Sequence, residues 1–273
     1  MKRFILPILF CSLSAAQAQN HRLEKLWQTD STIAIPESVL PDKKDNILYV
    51  SLIDGGSWEA DGKGGVGRLS PDGKSYNGTW ITGLQAPKGM GRKGNRLYVA
   101  DITEVVVVDI KKGVVEKRIP IDSARALNDL TIDKKGIVYV SDSRTGRIWK
   151  IKKDVPSLYL ENMTGVNGLK SLGKDLLIAS GKSFLKADTR KNLTKIAELP
   201  QGGDGVEPVG NGDYLVSSWP GFLFYVSANG QVETLLETHA QKINTADIGY
   251  DAKNRIIYVP TFNGKSVVAY RLL

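Results

Sequence analysis

Residues 127–161, LNDLTIDKKGIVYVSDSRTGRIWKIKKDVPSLYLE, decide the fold. Four short runs rich in Val, Ile, Leu and Tyr fall at 127–133, 137–141, 147–151 and 157–161, with Lys135-Gly136 supplying a tight turn between the first two. Strand-length apolar runs broken by turn pairs predict an antiparallel meander of four strands. The core of the second run, Tyr139-Val-Ser-Asp, has counterparts along the whole chain. They are YVSL from Tyr49, YVAD from Tyr98, LIAS from Leu177, LVSS from Leu215 and YVPT from Tyr258, at intervals of 38 to 49 residues.

A unit of roughly 40–45 residues holding four strands is the signature of a propeller blade. Setting aside the first eighteen of 273 residues leaves about 42 for each of six units, so length and period agree on one domain over 19–273. The prediction is an all-β, six-bladed β-propeller with four antiparallel strands per blade. Asp72-Gly73, Asn211-Gly212 and Asn229-Gly230 are further hairpin signals, and no long segment has a helical apolar period. The fifth unit repeats the pattern at Asp204, Tyr214, Phe222 and Val232, but the sixth has strand signals only at Thr245, Ile256 and Val267. The stretch 22–29, with Leu23, Leu26 and Trp27, is the right length to supply the missing outer strand and close the ring. A loose N-terminal tail is the alternative.

Residues 1–18 have the form of a secretory signal peptide: Lys2 and Arg3, an apolar run over 4–13, then Ala16-Gln17-Ala18 as the cleavage site. The apolar run is too short to span a bilayer, and bulky Phe10 before Cys11 argues against lipoprotein processing. The expected location is therefore periplasmic or secreted, without stable membrane insertion. Cleavage removes Cys11, the single cysteine, so stability has to come from packing. Loss of Lys2 and Arg3 lowers the formal charge from +8 to +6, and the remaining basic residues are scattered without an aromatic-interleaved stripe. That distribution makes nucleic acid a poor expectation and reads as serving solubility or weak attraction to anionic surfaces or ligands; the expected partner is a small molecule. The protein is expected to be a monomer.

Ten to twelve positions before each core stands a polar or charged residue: Glu37, Lys88, Asn128, Asn167, Asp204 and Asp247. In a ring of blades these positions share one level at the channel mouth. Glu37, Asn128, Asn167 and Asp204 together make a hard, oxygen-only set suited to calcium or magnesium. A histidine zinc site is not expected, because His21 and His239 lie away from the inner strand starts. Taken singly, each ring residue also reads as an ordinary turn residue. The insert 54–64, DGGSWEADGKG, falls on the mouth side of the first blade, where Trp58 and Glu59 are candidate lid contacts. A disordered Gly-rich loop is the other reading of that insert.

The order Glu37, Asn128-Asp129, Val166-Asn167-Gly168-Leu169 and Asp204-Gly205 resembles the senescence marker protein and gluconolactonase family, with paraoxonases as more distant relatives. The resemblance implies one divalent cation, calcium first with zinc or magnesium as alternatives, on Glu37, Asn167 and Asp204. It further implies lactone hydrolysis, the small-molecule partner being a lactone or ester, with Asp204 helping to activate water and Asn128 facing the substrate or a metal-bound water. Three places depart from the family pattern. Arg125 lies three residues before Asn128 rather than two, Ser38-Val39 replaces Gly-Pro after Glu37, and Glu207-Pro208 follows Asp204-Gly205 without the usual aspartate. Arg125, Lys88, Asp247 and Trp58 are taken as substrate-binding candidates, and Lys88 is alternatively a structural ion-pair partner of Asp247 or Glu37. Two functions follow: an exported metal-dependent lactonase or esterase, or a non-catalytic ligand- or protein-binding propeller with a structural cation.

Overall fold

The computed structural model describes residues 21–273; the expected signal segment and Cys11 lie outside the described residues. Six four-stranded antiparallel sheets follow one another along the chain. Five are simple meanders, and the sixth has the order in which Leu23–Gln28 pairs with the C-terminal strand Val267–Leu272. The N-terminal strand thus closes the ring, as predicted. Trp27 anchors it, donating from Nε1 to the Pro71 carbonyl (3.1 Å) and packing against Tyr258 with ring centroids 5.9 Å apart. The predicted turns hold as well: Gly73, Gly136, Gly212 and Gly230 all have positive φ. Among the described residues no helix is long and apolar enough to cross a membrane.

Apolar clusters fill the gaps between neighbouring blades around the ring. One joins the second and third blades through Val105, Val107, Leu130 and Val140, and another joins the last to the first through Tyr258, Val267, Leu48 and Val50. Each blade is sandwiched on both faces, which is why the central runs of its strands are apolar without alternation.

The recurring core and the polar residue before it are physically coupled. In the inner strands Pro36–Asp42, Pro87–Lys93, Leu127–Ile132 and Val166–Leu172 the register slips across the ring residue and the one after it. A bulge of this kind frees a residue from the ladder and re-aims its side chain. The serine of the core then takes over as hydrogen-bond acceptor. Ser51 Oγ accepts from Ser38 N (2.9 Å), Ser141 Oγ from Asp129 N (3.0 Å) and Ser217 Oγ from Gly205 N (2.8 Å), all buried. This satisfies backbone donors that the bulge would strand. Crowding also dictates Gly168 after Asn167: a Cβ there would stand 1.7 Å from the Asp204 carbonyl oxygen in the next blade.

Candidate functional site in the channel

The ring residues do not all enter one layer. Glu37, Lys88, Asn128, Asn167 and Asp204 gather at the mouth, where the inner strands begin. Asn167 Nδ2 donates to Asp204 Oδ1 at 2.7 Å, and Asn128 Nδ2 donates to Ser143 Oγ at 3.0 Å. The Ser143 hydroxyl passes the chain on to the Val166 carbonyl (2.7 Å), tying the third blade to the fourth. Two acceptors in this layer, Glu37 Oε2 and Asn167 Oδ1, are buried without any hydrogen-bond partner.

A buried atom without a partner calls for a water or an ion; Asp42 Oδ2, Tyr49 Oη and Trp149 Nε1 share the condition elsewhere, and what sets Glu37 and Asn167 apart is that they stand with Asp204 in one layer. Burial pushes the Glu37 carboxyl well above the usual range, with Lys88 pulling it down and Asp204 and Asp247 pushing it further up. Asp204 is pushed up to about 8, chiefly by burial and then by Asp247, against the pull of Lys88 and the Asn167 hydrogen bond. Both carboxyls lack enough local positive charge to hold their ionised forms comfortably.

Lys88 is itself 2% exposed, and burial lowers its pKa although Glu37, Asp204 and Asp101 all work to raise it. Its ammonium sits 4.2 Å from the centroid of the Trp58 ring. The insert is therefore an ordered flap over the mouth, and Gly62 N donating to Gln85 Oε1 (3.0 Å) ties it to the second blade. Lys88 forms no ion pair with Glu37 or Asp247 among the described residues, so the expected pairing is replaced by a cation–π contact. Arg125 is exposed; its amide donates to Asp142 Oδ2 (2.9 Å), and no side-chain contact brings its guanidinium to the ring.

Asp247 belongs to a second, deeper layer. Its Oδ2 accepts from Ser38 Oγ at 2.5 Å, and its backbone bridges to the first blade through Asp247 N to the Glu37 carbonyl (2.9 Å). It lines an axial cavity of about 20 Å³ with Ser38, Asp129, Lys170 and Glu207, room for about one water. Here three carboxyls, Asp129, Glu207 and Asp247, share the one ammonium of Lys170, and burial raises all three, yet each finds a hydrogen-bond partner. Lys170 Nζ meets Glu207 Oε1 at 2.7 Å, and Asp129 accepts from the Leu130 and Leu169 amides, both at 2.5 Å. Sequence reasoning missed Lys170 and Glu207 as channel residues. Each stands three positions after a ring residue in adjacent blades, and that shared offset was the available signal.

The mouth offers a cation three oxygen donors on Glu37, Asn167 and Asp204, two of whose atoms have no other partner. Among the described residues no three His, Cys, Asp or Glu side chains come together as a ligand group, so the set at the mouth is a mixed carboxylate–amide one. Lys88 is the feature that opposes a cation there. His21 and His239 sit far from this set, paired with Glu233 and Glu237.

No family model matches the sequence, and no curated protein matches it either. Solved structures do. A gluconolactonase from Xanthomonas campestris superposes with a TM-score of 0.71 at 15% identity, covering 96% of this chain and 94% of that one. A streptogramin B lyase gives 0.70 at 9% identity over 94% and 100%. A catalytically inactive virginiamycin B lyase from Staphylococcus aureus, solved with quinupristin, gives 0.66 at 13% over 93% and 100%. At such identities the likeness establishes architecture and leaves chemistry to the site. This chain is a six-bladed propeller of the same fold as gluconolactonases and streptogramin B lyases.

Proposed function

We propose that the channel mouth is the active site of an exported, divalent-cation-dependent hydrolase of lactones or related esters. The observation that carries this reading is the pair of orphaned buried oxygens, Glu37 Oε2 and Asn167 Oδ1, set beside the desolvated Asp204 carboxyl. Glu37, Asn167 and Asp204 would hold the cation, with calcium favoured by the oxygen-only set. When bound, it supplies Lewis-acid polarisation of a carbonyl. Asp204 has a second carboxylate oxygen besides the one engaged by Asn167, and this oxygen would take a proton from water as the water oxygen adds to the carbonyl carbon and return it to the leaving oxygen as the C–O bond breaks. Asn128, fixed by Ser143, orients the substrate at the rim. Trp58 covers the mouth and limits water entry. The protein works as a monomer on a small molecule in the periplasm or outside the cell.

A second reading, a non-catalytic ligand-binding propeller, is favoured by Lys88, whose ammonium opposes a divalent cation in the same layer. The two are separated by measuring bound metal in purified protein spanning 19–273 and assaying a lactone and aryl-ester panel with and without chelator. The hydrolase reading expects stoichiometric metal and chelator-sensitive turnover. Stoichiometric metal with no turnover across the panel overturns it in favour of the second.

A further inference from the structure

On the face opposite the mouth, where the inner strands end, charge pairs tie the first blade to both of its neighbours. Lys43 reaches Asp251 of the sixth blade (2.9 Å), and Asp45 receives Arg92 of the second (2.7 Å). The gap between the second and third blades is different. It holds a cavity of about 380 Å³, within the size range of small-molecule sites. Two contacts bound it: Lys93 Nζ, next to the inner strands, donates to the Lys134 carbonyl (2.7 Å), and Lys117 Nζ on the outermost strand of the second blade pairs with Asp154 Oδ2 (2.7 Å).

The lining divides by chemistry. Half-buried Ile137, with Tyr98, Val138 and Ile151 behind it, makes one side apolar. The exposed lysines Lys135, Lys152 and Lys153 stand on the solvent side together with Arg96. The carboxylates nearby are already committed. Glu116 Oε2 accepts from Arg96 Nε (2.8 Å), Asp154 answers Lys117, and Asp133 Oδ1 caps a turn by accepting from Lys135 N and Ile137 N, both at 2.8 Å. Among the described residues the ammoniums of Lys135, Lys152 and Lys153 have no ion pair. Lys153 is also fixed in place, because Lys153-Asp154 is a two-residue hairpin loop with φ 51° and 64° between the paired residues Lys152 and Val155. Like charges gathered at one opening repel, and no side chain offsets them.

We propose that this cavity binds a small organic phosphate, its phosphomonoester head held by Lys135, Lys152 and Lys153 and its apolar body set against Ile137 and Tyr98. A phosphomonoester brings a charge of about −1.5 to −2 at pH 7 and three acceptor oxygens to three free ammoniums, where a carboxylate brings a single charge. The apolar side favours a ligand with a hydrocarbon body over the bare ion. The cavity lies on the opposite face from Glu37, Asn167 and Asp204, so it stands whether or not the mouth hydrolyses anything.

Calorimetric titration of the chain spanning 19–273 with 2-naphthyl phosphate, inorganic phosphate and 2-naphthol tests it. The expected result is a Kd for the naphthyl phosphate of about 0.1 mM or tighter at low salt, rising as salt is added. Inorganic phosphate and naphthol should each bind at least about tenfold more weakly. Lys135→Gln and Lys153→Gln should each weaken the ester about fivefold. Lys253→Gln, the same charge change on the sixth blade, should leave it unmoved; all three lysines are exposed, so the variants keep the fold. No binding of the ester overturns the proposal. So does naphthol or inorganic phosphate binding as tightly as the ester, or a loss in Lys253→Gln as large as in the cavity variants. Sedimentation with phosphatidic acid vesicles separates two sources of the same chemistry. Co-sedimentation lost in Lys135→Gln assigns a lipid, and ester binding without co-sedimentation assigns a soluble phosphate.

Discussion

The two layers of the channel both bury carboxyls that burial raises, and they differ in whether those groups have hydrogen-bond partners. In the deep layer Lys170 and Glu207 meet at 2.7 Å, Asp247 is capped by Ser38 and Asp129 accepts two backbone amides. In the mouth layer Glu37 and Asn167 each keep an unpartnered buried oxygen, and Lys88 faces an indole ring instead of a carboxylate. A folded chain hydrogen-bonds the polar groups it buries for its own sake. The deep layer is thus scaffold, tying the inner edges of the first, third, fourth, fifth and sixth blades to one another in pairs, and the mouth layer is held open for something the chain does not itself supply.

Substitutions should separate the layers by the sign of their effect on stability. The largest change expected is in activity: Asp204→Ala should lower kcat/KM by about 10³-fold, with loss of retained cation, and leave the circular dichroism spectrum unchanged. In the deep layer Lys170→Met strands the Glu207 carboxylate and should cost about 3–5 kcal/mol in urea unfolding. A loss near zero would erase the distinction between scaffold and site.

Acidity probes both layers together. Burial raises Asp204 to about 8 and Asp247 to about 7, so the folded protein keeps protons that the unfolded chain has already released. Stability in chelator should therefore be greatest near pH 4 and fall as pH rises toward about 8, by the linkage between proton uptake and folding. A denaturation midpoint that rises over that interval would contradict the assigned burial. The smallest effect sharpens the contrast most. Glu37→Gln removes a poorly compensated carboxylate and should raise stability in chelator by about 1 kcal/mol while reducing turnover, the stability–function trade expected of a site.

Much of the architecture was legible because it is written locally. The four-strand period, the positive-φ turn pairs and the missing outer strand of the sixth blade can all be read along one dimension, and Trp27 duly closes the ring at Tyr258. The ring of polar residues was legible too, since a fixed offset from a repeated core is a periodic signal. What offset alone could not give was depth. Lys88 and Asp247 hold equivalent places in the repeat, yet Asp247 turns inward onto Ser38 because the inner strand of its blade is only Gly249–Asp251 and its backbone bridges to the first blade instead. Lys88 turns outward beneath a tryptophan thirty residues earlier.

The buried apolar cluster beside the ring was illegible for the same reason. Ile35, Ile102 and Phe262 look like unremarkable apolar residues near turns, and only the folded backbone shows them strained and gathered. By itself the sequence determined a six-bladed ring and the residue types that line it, because strand period, turn chemistry and repeat offset are properties of neighbours along the chain. The tertiary structure alone decided which charges are satisfied and which are left waiting, because a buried atom's partners come from other blades and no local pattern records them.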